Sequence, residues 1–436
     1  MTKRSTGQRS RRSAGLLLVG VLAVGPALAG CGSTAAGGPP VVRASGTVSR
    51  PPVDPAQVAA TATATSAFGL DLLKGLSADA PGRNTVVSPA GLATVLGMLL
   101  PGARGATAQE LATALHTDLD PKRYALAVGA LDRKKADGDQ VTLHRSDDLW
   151  AQQGLALAPE YLDTLAAAFD TGVHPVDFAK DPDGARKAVN SAVEKATEGR
   201  IKDLFGPRQI TRDTRLALTD ALYLKAKWAS GFKHADTADR PFHKPDGSTP
   251  AVSTMSQKGG FRYAEGSGGI VGEPWQAVEL PYAGGNLAMD LIVPAQGGFA
   301  AFTKGLDQPQ LDRILGGLEQ RNVDLTLPRF HFDTTGDLVP VLRSLGVRAA
   351  FDAPDFTGLA KEPLALGTVV QKATVEVDED GTVAAAGSGA GILALAAPAA
   401  PDTVQLHIDR PFLFLIRDTA GGAPLFLGQV TDPQAK

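Results

Sequence analysis

The chain has 436 residues, 43% hydrophobic and 20% charged, with a formal net charge of -3. That is an ordinary globular composition, long enough for one large domain or two ordinary ones. The five basic residues of the leader (Lys3, Arg4, Arg9, Arg11, Arg12) have no acidic counterpart before Cys31, and without them 38 basic residues face 46 acidic ones. A net acidic body excludes nucleic acid as the main partner, since that needs a basic patch.

Residues 1–30 read as a signal peptide. The basic cluster is followed by Leu16–Val24, an apolar stretch too short to span a membrane comfortably. Leu28-Ala29-Gly30-Cys31 then resembles a bacterial lipobox, and Cys31 is the only cysteine. That resemblance implies lipid on Cys31 and an exported protein anchored to the outer face of the cell membrane, with extracellular release open as well. Ser10-Arg11-Arg12 leaves general and twin-arginine export both open. With its one thiol lipidated, the protein has no disulfide. Residues 31–64, rich in Gly, Pro, Ala, Ser and Thr, read as a flexible tether, with the folded domain over 65–436.

The domain opens helical. Phe68, Leu72, Leu73 and Leu76 recur at helical spacing, and Ser88-Pro89 starts a largely apolar helix. Thr107-Ala-Gln-Glu110 has the form of a capping box opening another. From His144 strands and helices mix: SDDLWAQQ as a strand, APEYLDTLAAAF and DGARKAVNSAVEKAT as helices. After about Arg215 strands prevail, with one more helix at DLVPVLRSLG. The order neither alternates βαβ nor is all-β, so it predicts a single large α+β domain.

One stretch stands apart. Asp378 to Pro401 runs DEDGT and then through small residues to Ile392, Leu393, Leu395 and a Pro/Ala tail. It offers too little apolar surface to build a core, and too few residues follow it for a second domain. VQLHI, PFLFLIRD and PLFLGQV return the chain to buried strands, so the stretch is an exposed, protease-accessible loop. No GxSxG, HExxH, CxxC or Walker A pattern occurs, and the seven histidines lack metal-ligand spacing.

Several blocks in order resemble the serpin family: Asn84–Ala90, Gly102–Leu111, Val189–Leu204, Asp220–Trp228 with Phe232, Phe242-His243, Val278–Tyr282, Leu327–Phe330, Arg410–Phe414 and Pro424–Gly428. The resemblance covers about residues 65–434. It implies three β-sheets, about nine helices and an exposed reactive-centre loop. It also implies a suicide-substrate mechanism: a serine protease acylates itself on the loop, and the cut loop enters the main sheet as a new strand, dragging the protease with it. The implied partner is that protease, in a covalent acyl complex with a monomeric inhibitor that is itself no enzyme and needs no cofactor or metal.

The hinge of the loop is Glu379, Asp380, Gly381, Thr382, Val383, Ala384, Ala385 and Ala386. On insertion Thr382, Ala384, Ala386, Ser388 and Ala390 face inward, all small enough to enter a packed sheet. The family's hinge spacing puts the scissile bond at Leu395-Ala396, a hydrophobic site for chymotrypsin- or subtilisin-like enzymes, with the alanines suiting elastase-like ones. Counting back from Pro411 lands near Ala400 instead, so both positions stay open. The sheet-opening region is Ser88, Gly91, Asp220 and Gln371. Many family members carry Asn at 220, His at 371 and Ser at 91, and an Asp220–Gln371 hydrogen bond is the expected replacement contact. The alternative reading is a non-inhibitory serpin-fold binding lipoprotein.

Overall fold

In the computed structural model, which describes residues 39–78, 80–133, 141–267, 274–285, 287–382 and 403–435, the first helix begins at Pro55, well ahead of the expected boundary at residue 65. Asp54 caps it by accepting from Ala56 N at 2.9 Å, and proline takes the first turn. Residues 39–54 are also placed against the domain. Composition reads them as tether because they carry no periodic apolar face; they are held by backbone pairing and a few isolated valines. Cys31 lies outside the described residues.

The described residues form ten α-helices: α1 (Pro55–Ser77), α2 (Pro89–Leu99), α3 (Gly105–Ala114), α4 (Pro121–Arg133), α5 (Pro159–Phe169), α6 (Pro182–Ala196), α7 (Phe299–Gly305), α8 (Gln308–Gly316), α9 (Val339–Ser344) and α10 (Ala349–Asp352). Their strands are β1 (Thr85–Val87), β2 (Val141–Gln152), β3 (His174–Val176), β4 (Leu216–Lys227), β5 (Ala238–Pro241), β6 (Ala251–Gly266), β7 (Trp275–Pro281), β8 (Leu287–Pro294), β9 (Glu319–Pro328), β10 (Phe330–Asp337), β11 (Leu366–Val377), β12 (Gly381–Thr382), β13 (Val404–His407), β14 (Phe412–Asp418) and β15 (Pro424–Val430). Ser88 caps α2 as expected, its Oγ accepting from Gly91 N at 3.1 Å. The capping box at Thr107 does not form. The helix already starts at Gly105, and both side chains serve neighbouring segments: Thr107 Oγ1 accepts from Asp355 N at 2.9 Å, and Glu110 caps α10 by accepting from Arg348 N and Ala349 N.

The expected α+β architecture is present, and among the described residues hydrogen bonding joins the strands into two continuous networks. The six-stranded sheet runs β10-β11-β12-β4-β2-β3. The other contains nine strands, because the 16-residue β6 pairs with β5 at its start, β7 at its end and β9 between, fusing what would be two sheets. The core lies between the two sheets. Leu222, Leu224 and Ala226 of β4 and Ala373, Val375 and Val377 of β11 meet Met289, Leu291 and Phe414 there. Helix α6 covers the outer face of the six-stranded sheet. Its Val189 and Val193 belong to one apolar cluster with Trp150 of β2, Ala217 and Ala221 of β4 and Val370 of β11, and its backbone comes closest to β2.

Candidate functional site

β4 and β11 lie side by side in parallel, in register from Leu216↔Leu366 to Tyr223↔Thr374 with one bulge between Leu366 and Thr368. Beyond Thr374 the pair separates and β12 fills the gap. Residues 378–381 turn the chain back on itself: Asp378 N donates to Gly381 O at 3.0 Å, and Asp378 Oδ1 accepts from Asp380 N and Gly381 N at 3.0 and 3.1 Å. The turn returns the chain antiparallel to both neighbours, with Thr382 opposite Val377 on one side and Ala226 on the other. Gly381 is required here. Its φ is +151°, and an added Cβ would lie 2.0 Å from Ala226 O.

The turn is held on all sides. Trp228 N donates to Asp380 O at 2.9 Å, Trp228 Nε1 to Asp378 O at 2.9 Å, and Phe232 N to Glu379 O at 2.8 Å. Trp228 stacks on Tyr282, with centroids 4.5 Å apart, and Tyr282 OH is 2.6 Å from Thr382 Oγ1. Thr382 is thus buried and faces inward, as the alternation of the loop requires. Glu379 is fully buried; Arg329 and Thr237 both donate to its Oε1, while His234 Nδ1 lies 3.6 Å from Oε2. Burial pushes this carboxyl up, but the Arg329 and Thr237 bonds outweigh it and hold the group below its ordinary 4.5.

Farther along the pair, Asp220 of β4 stands in register with Gln371 of β11. The Gln371 amide donates to Asp220 Oδ2 and, at 3.3 Å, to Ser88 O, and it accepts from Ser88 N at 3.2 Å. The expected Asp220–Gln371 bond therefore forms, and Ser88 is tied to it. An added Cβ on Gly91 would lie 2.0 Å from Asp220 Oδ1. The Asp220 carboxyl occupies the space that a side chain at 91 would need, which accounts for both departures from the family pattern together. Oδ1 has no hydrogen-bond partner among the described residues. Burial raises this carboxyl from 3.8 to about 7, against the opposing pulls of Gln371 and of the Arg145 charge. Arg145 also ion-pairs with Asp147, which lies opposite Asp220 on β2.

The structure thus gathers Glu379, Asp380, Gly381 and Thr382 at the end of the β4–β11 seam and Ser88, Gly91, Asp220 and Gln371 along it. Val383, Ala384, Ala385, Ala386, Leu395 and Ala396 lie outside the described residues. Sequence reasoning did not assign roles to Arg329, Thr237 and Tyr282. Arg329 and Tyr282 sit inside blocks that carry the family resemblance, whereas Thr237 gives no local signal.

The comparisons agree with this architecture. The family model for Serpin (serine protease inhibitor) matches residues 63–433. An uncharacterised serpin-like protein of Thermococcus kodakarensis is 35% identical over 374 residues, covering 85% of each chain. Plasminogen activator inhibitor 1 of Neovison vison is 34% identical over 372 residues, covering 84% of this chain and 91% of its own. The crystal structure of Serpin48, described as a highly specific serpin in the insect Tenebrio molitor, superposes with a TM-score of 0.73 at 28% identity, over 85% of this chain and 98% of its own. The chain belongs to the serpin family.

Proposed function

We propose that this serpin is a suicide-substrate inhibitor of extracellular serine proteases with chymotrypsin-, subtilisin- or elastase-like preference. It is exported and held at the outer face of the cell membrane by lipid on Cys31. The observation that supports inhibition most is the position of Gly381 and Thr382, already paired in the gap between β4 and β11. A loop continuing in that direction enters antiparallel to both strands. It replaces one parallel ladder with two antiparallel ones, which pair slightly better per residue and roughly double the backbone hydrogen bonds along the seam.

The chemistry is ordinary acyl transfer until insertion. The protease serine attacks the Leu395 carbonyl carbon, the bond to Ala396 N breaks, and the new amine takes a proton from the protease's histidine. The acyl ester then ties the protease to a strand of about 14 residues, roughly 45 Å at ~3.3 Å each. Insertion carries the ester along the length of the sheet before water reaches it.

Mixing the protein with a panel of chymotrypsin-, subtilisin- and elastase-type proteases tests this. The expected product is a covalent complex that survives a denaturing gel, with the released peptide beginning at Ala396. Clean cleavage without a complex across the panel makes the protein a substrate-like binding serpin instead. Mass spectrometry of the exported protein checks the anchor: Cys31 as a lipidated N-terminus is expected, and a free thiol there refutes it.

A further inference from the structure

We infer that residues 39–54 form a strap across the edge of the six-stranded sheet that restrains its widening. The inference rests on the insertion mechanism proposed above.

The strap is bonded at several points. Val42 makes an antiparallel bridge with Val173, beside β3: Val42 N donates to Val173 O at 2.8 Å, and Val173 N to Val42 O at 3.0 Å. The His174 ring lies between Pro40 O and Asp148 Oδ1 of β2, 3.1 Å from each, and rests against Trp150 with centroids 4.6 Å apart. Arg43 donates to Asp170 O at 2.7 Å, beyond the end of α5. Val48 and Val53 pack on the apolar cluster of α4 and α5, and Asp54 then caps α1.

The path of the strap gives it a mechanical role. One end is bonded to β3, the outermost strand on the β4 side of the seam. The other end is continuous with α1, which packs most on α4 and also on β15, β1, α2, α9 and α8. A new strand between β4 and β11 displaces β4, β2 and β3 from β11 by about one strand spacing, ~4.8 Å. Hydrogen bonds at 2.8–3.0 Å are lost within a fraction of that distance. Widening that carries β3 away from α1 strips the strap from β3 or pulls it against α1, and in either case the docked strap slows insertion.

Gly172 provides a selective test. A Cβ there would lie 2.0 Å from Val42 O, 2.8 Å from Val42 C and 3.0 Å from Val41 Cγ1, so its three nearest contacts all belong to the strap. Gly172→Ala therefore evicts the strap without disturbing the sheet. Val42→Pro does the same from the other side by removing the N–H donated to Val173. Hydrogen exchange at Val173 in each purified protein, and at Val42 where residue 42 keeps its N–H, reports docking. The rate at which the loop-cut protein gains heat resistance reports insertion. Protection at Val42 and Val173 in the unaltered protein, its loss at Val173 in both variants and at Val42 in Gly172→Ala, and insertion faster by tenfold or more in both are expected. Equal insertion rates, or no protection at Val42 in the unaltered protein, overturn the strap and leave the inhibitory reading standing. If the unaltered protein gains no heat resistance after the cut, the insertion mechanism fails and the strap's role falls with it.

Discussion

Replacing Asp220 by asparagine should stabilise the protein at and above neutral pH, and less as the pH falls. Asp220 is fully buried, one carboxyl oxygen has no partner among the described residues, and its folded value stands at about 7 against an ordinary 3.8. Such a rise makes the ionised form about 4 kcal/mol less favourable in the fold than in the unfolded chain. The folded value is the higher one, so the fold holds the extra proton between about pH 4 and pH 7. Stability is lost as pH rises through that window, and the full penalty applies above it. Asparagine keeps the shape and accepts from Gln371 without a charge, although its NH2 group inherits the unpartnered position beside Gly91. With about 2 kcal/mol set against it for that misfit at every pH, Asp220→Asn should gain about 2 kcal/mol at pH 8 and lose about 1 kcal/mol at pH 4.5, where only about 1 kcal/mol of the penalty applies. Urea unfolding at both pH values, with the slope checked for constancy, measures the difference. Where unfolding is irreversible, the unfolding rate constants carry the same comparison. An equal gain at both pH values, or a loss at pH 8, refutes the account of a costly buried charge on the seam.

The hinge supplies three further tests. Thr382→Arg places a charge in a site where Thr382 is 1% exposed and touches Tyr282 OH. The desolvation cost of several kcal/mol should turn the protein from inhibitor into substrate, seen as cleaved chain without complex on a denaturing gel. Glu379→Gln removes the charge paired with Arg329, and hydrogen exchange at Phe232 and Trp228 should accelerate by tenfold or more. Acid should act in the same direction. Because the Glu379 carboxyl is held below 4.5, its contribution is complete above that pH and is lost as pH falls through the folded value. Unchanged exchange in the variant would mean that the Glu379–Arg329 pair does not hold the hinge. Gly381→Ala should unseat β12 without affecting the rest of the sheet, because its Cβ meets the Ala226 carbonyl. Protection lost at Trp228 but kept along Leu216–Tyr223 is the expected exchange pattern.

Much of this was legible in the sequence because it is written in local patterns. Period-two alternation along TVVQKATVEVD and LALTDALYLKAKW gives β11 and β4, and it places Gln371 and Asp220 on their inner faces. Small residues after Gly381 are what the proposed entry into a packed layer requires, and Thr382, the one of them described, faces inward. Other features carry no local signature. Thr107 and Glu110 fit a capping box on spacing alone, but the donors they serve come from residues 348–355, far along the chain. Residues 39–54 lack periodicity, so composition reads them as tether, yet a β-bridge needs only backbone groups and an available edge.

The sequence alone determined the class of the protein and the residue types on which the proposed loop chemistry rests. Those depend on side-chain size and alternation, which any extended strand expresses in the same way. Only the tertiary structure decided how the seam is held shut. Gln371 meets Asp220 across 151 residues, Arg329 meets Glu379 across 50, and Gly91 is a glycine because a carboxylate from β4 fills its place. Such contacts depend on register and on which elements share a face, and the chain acquires both only when the whole sheet forms.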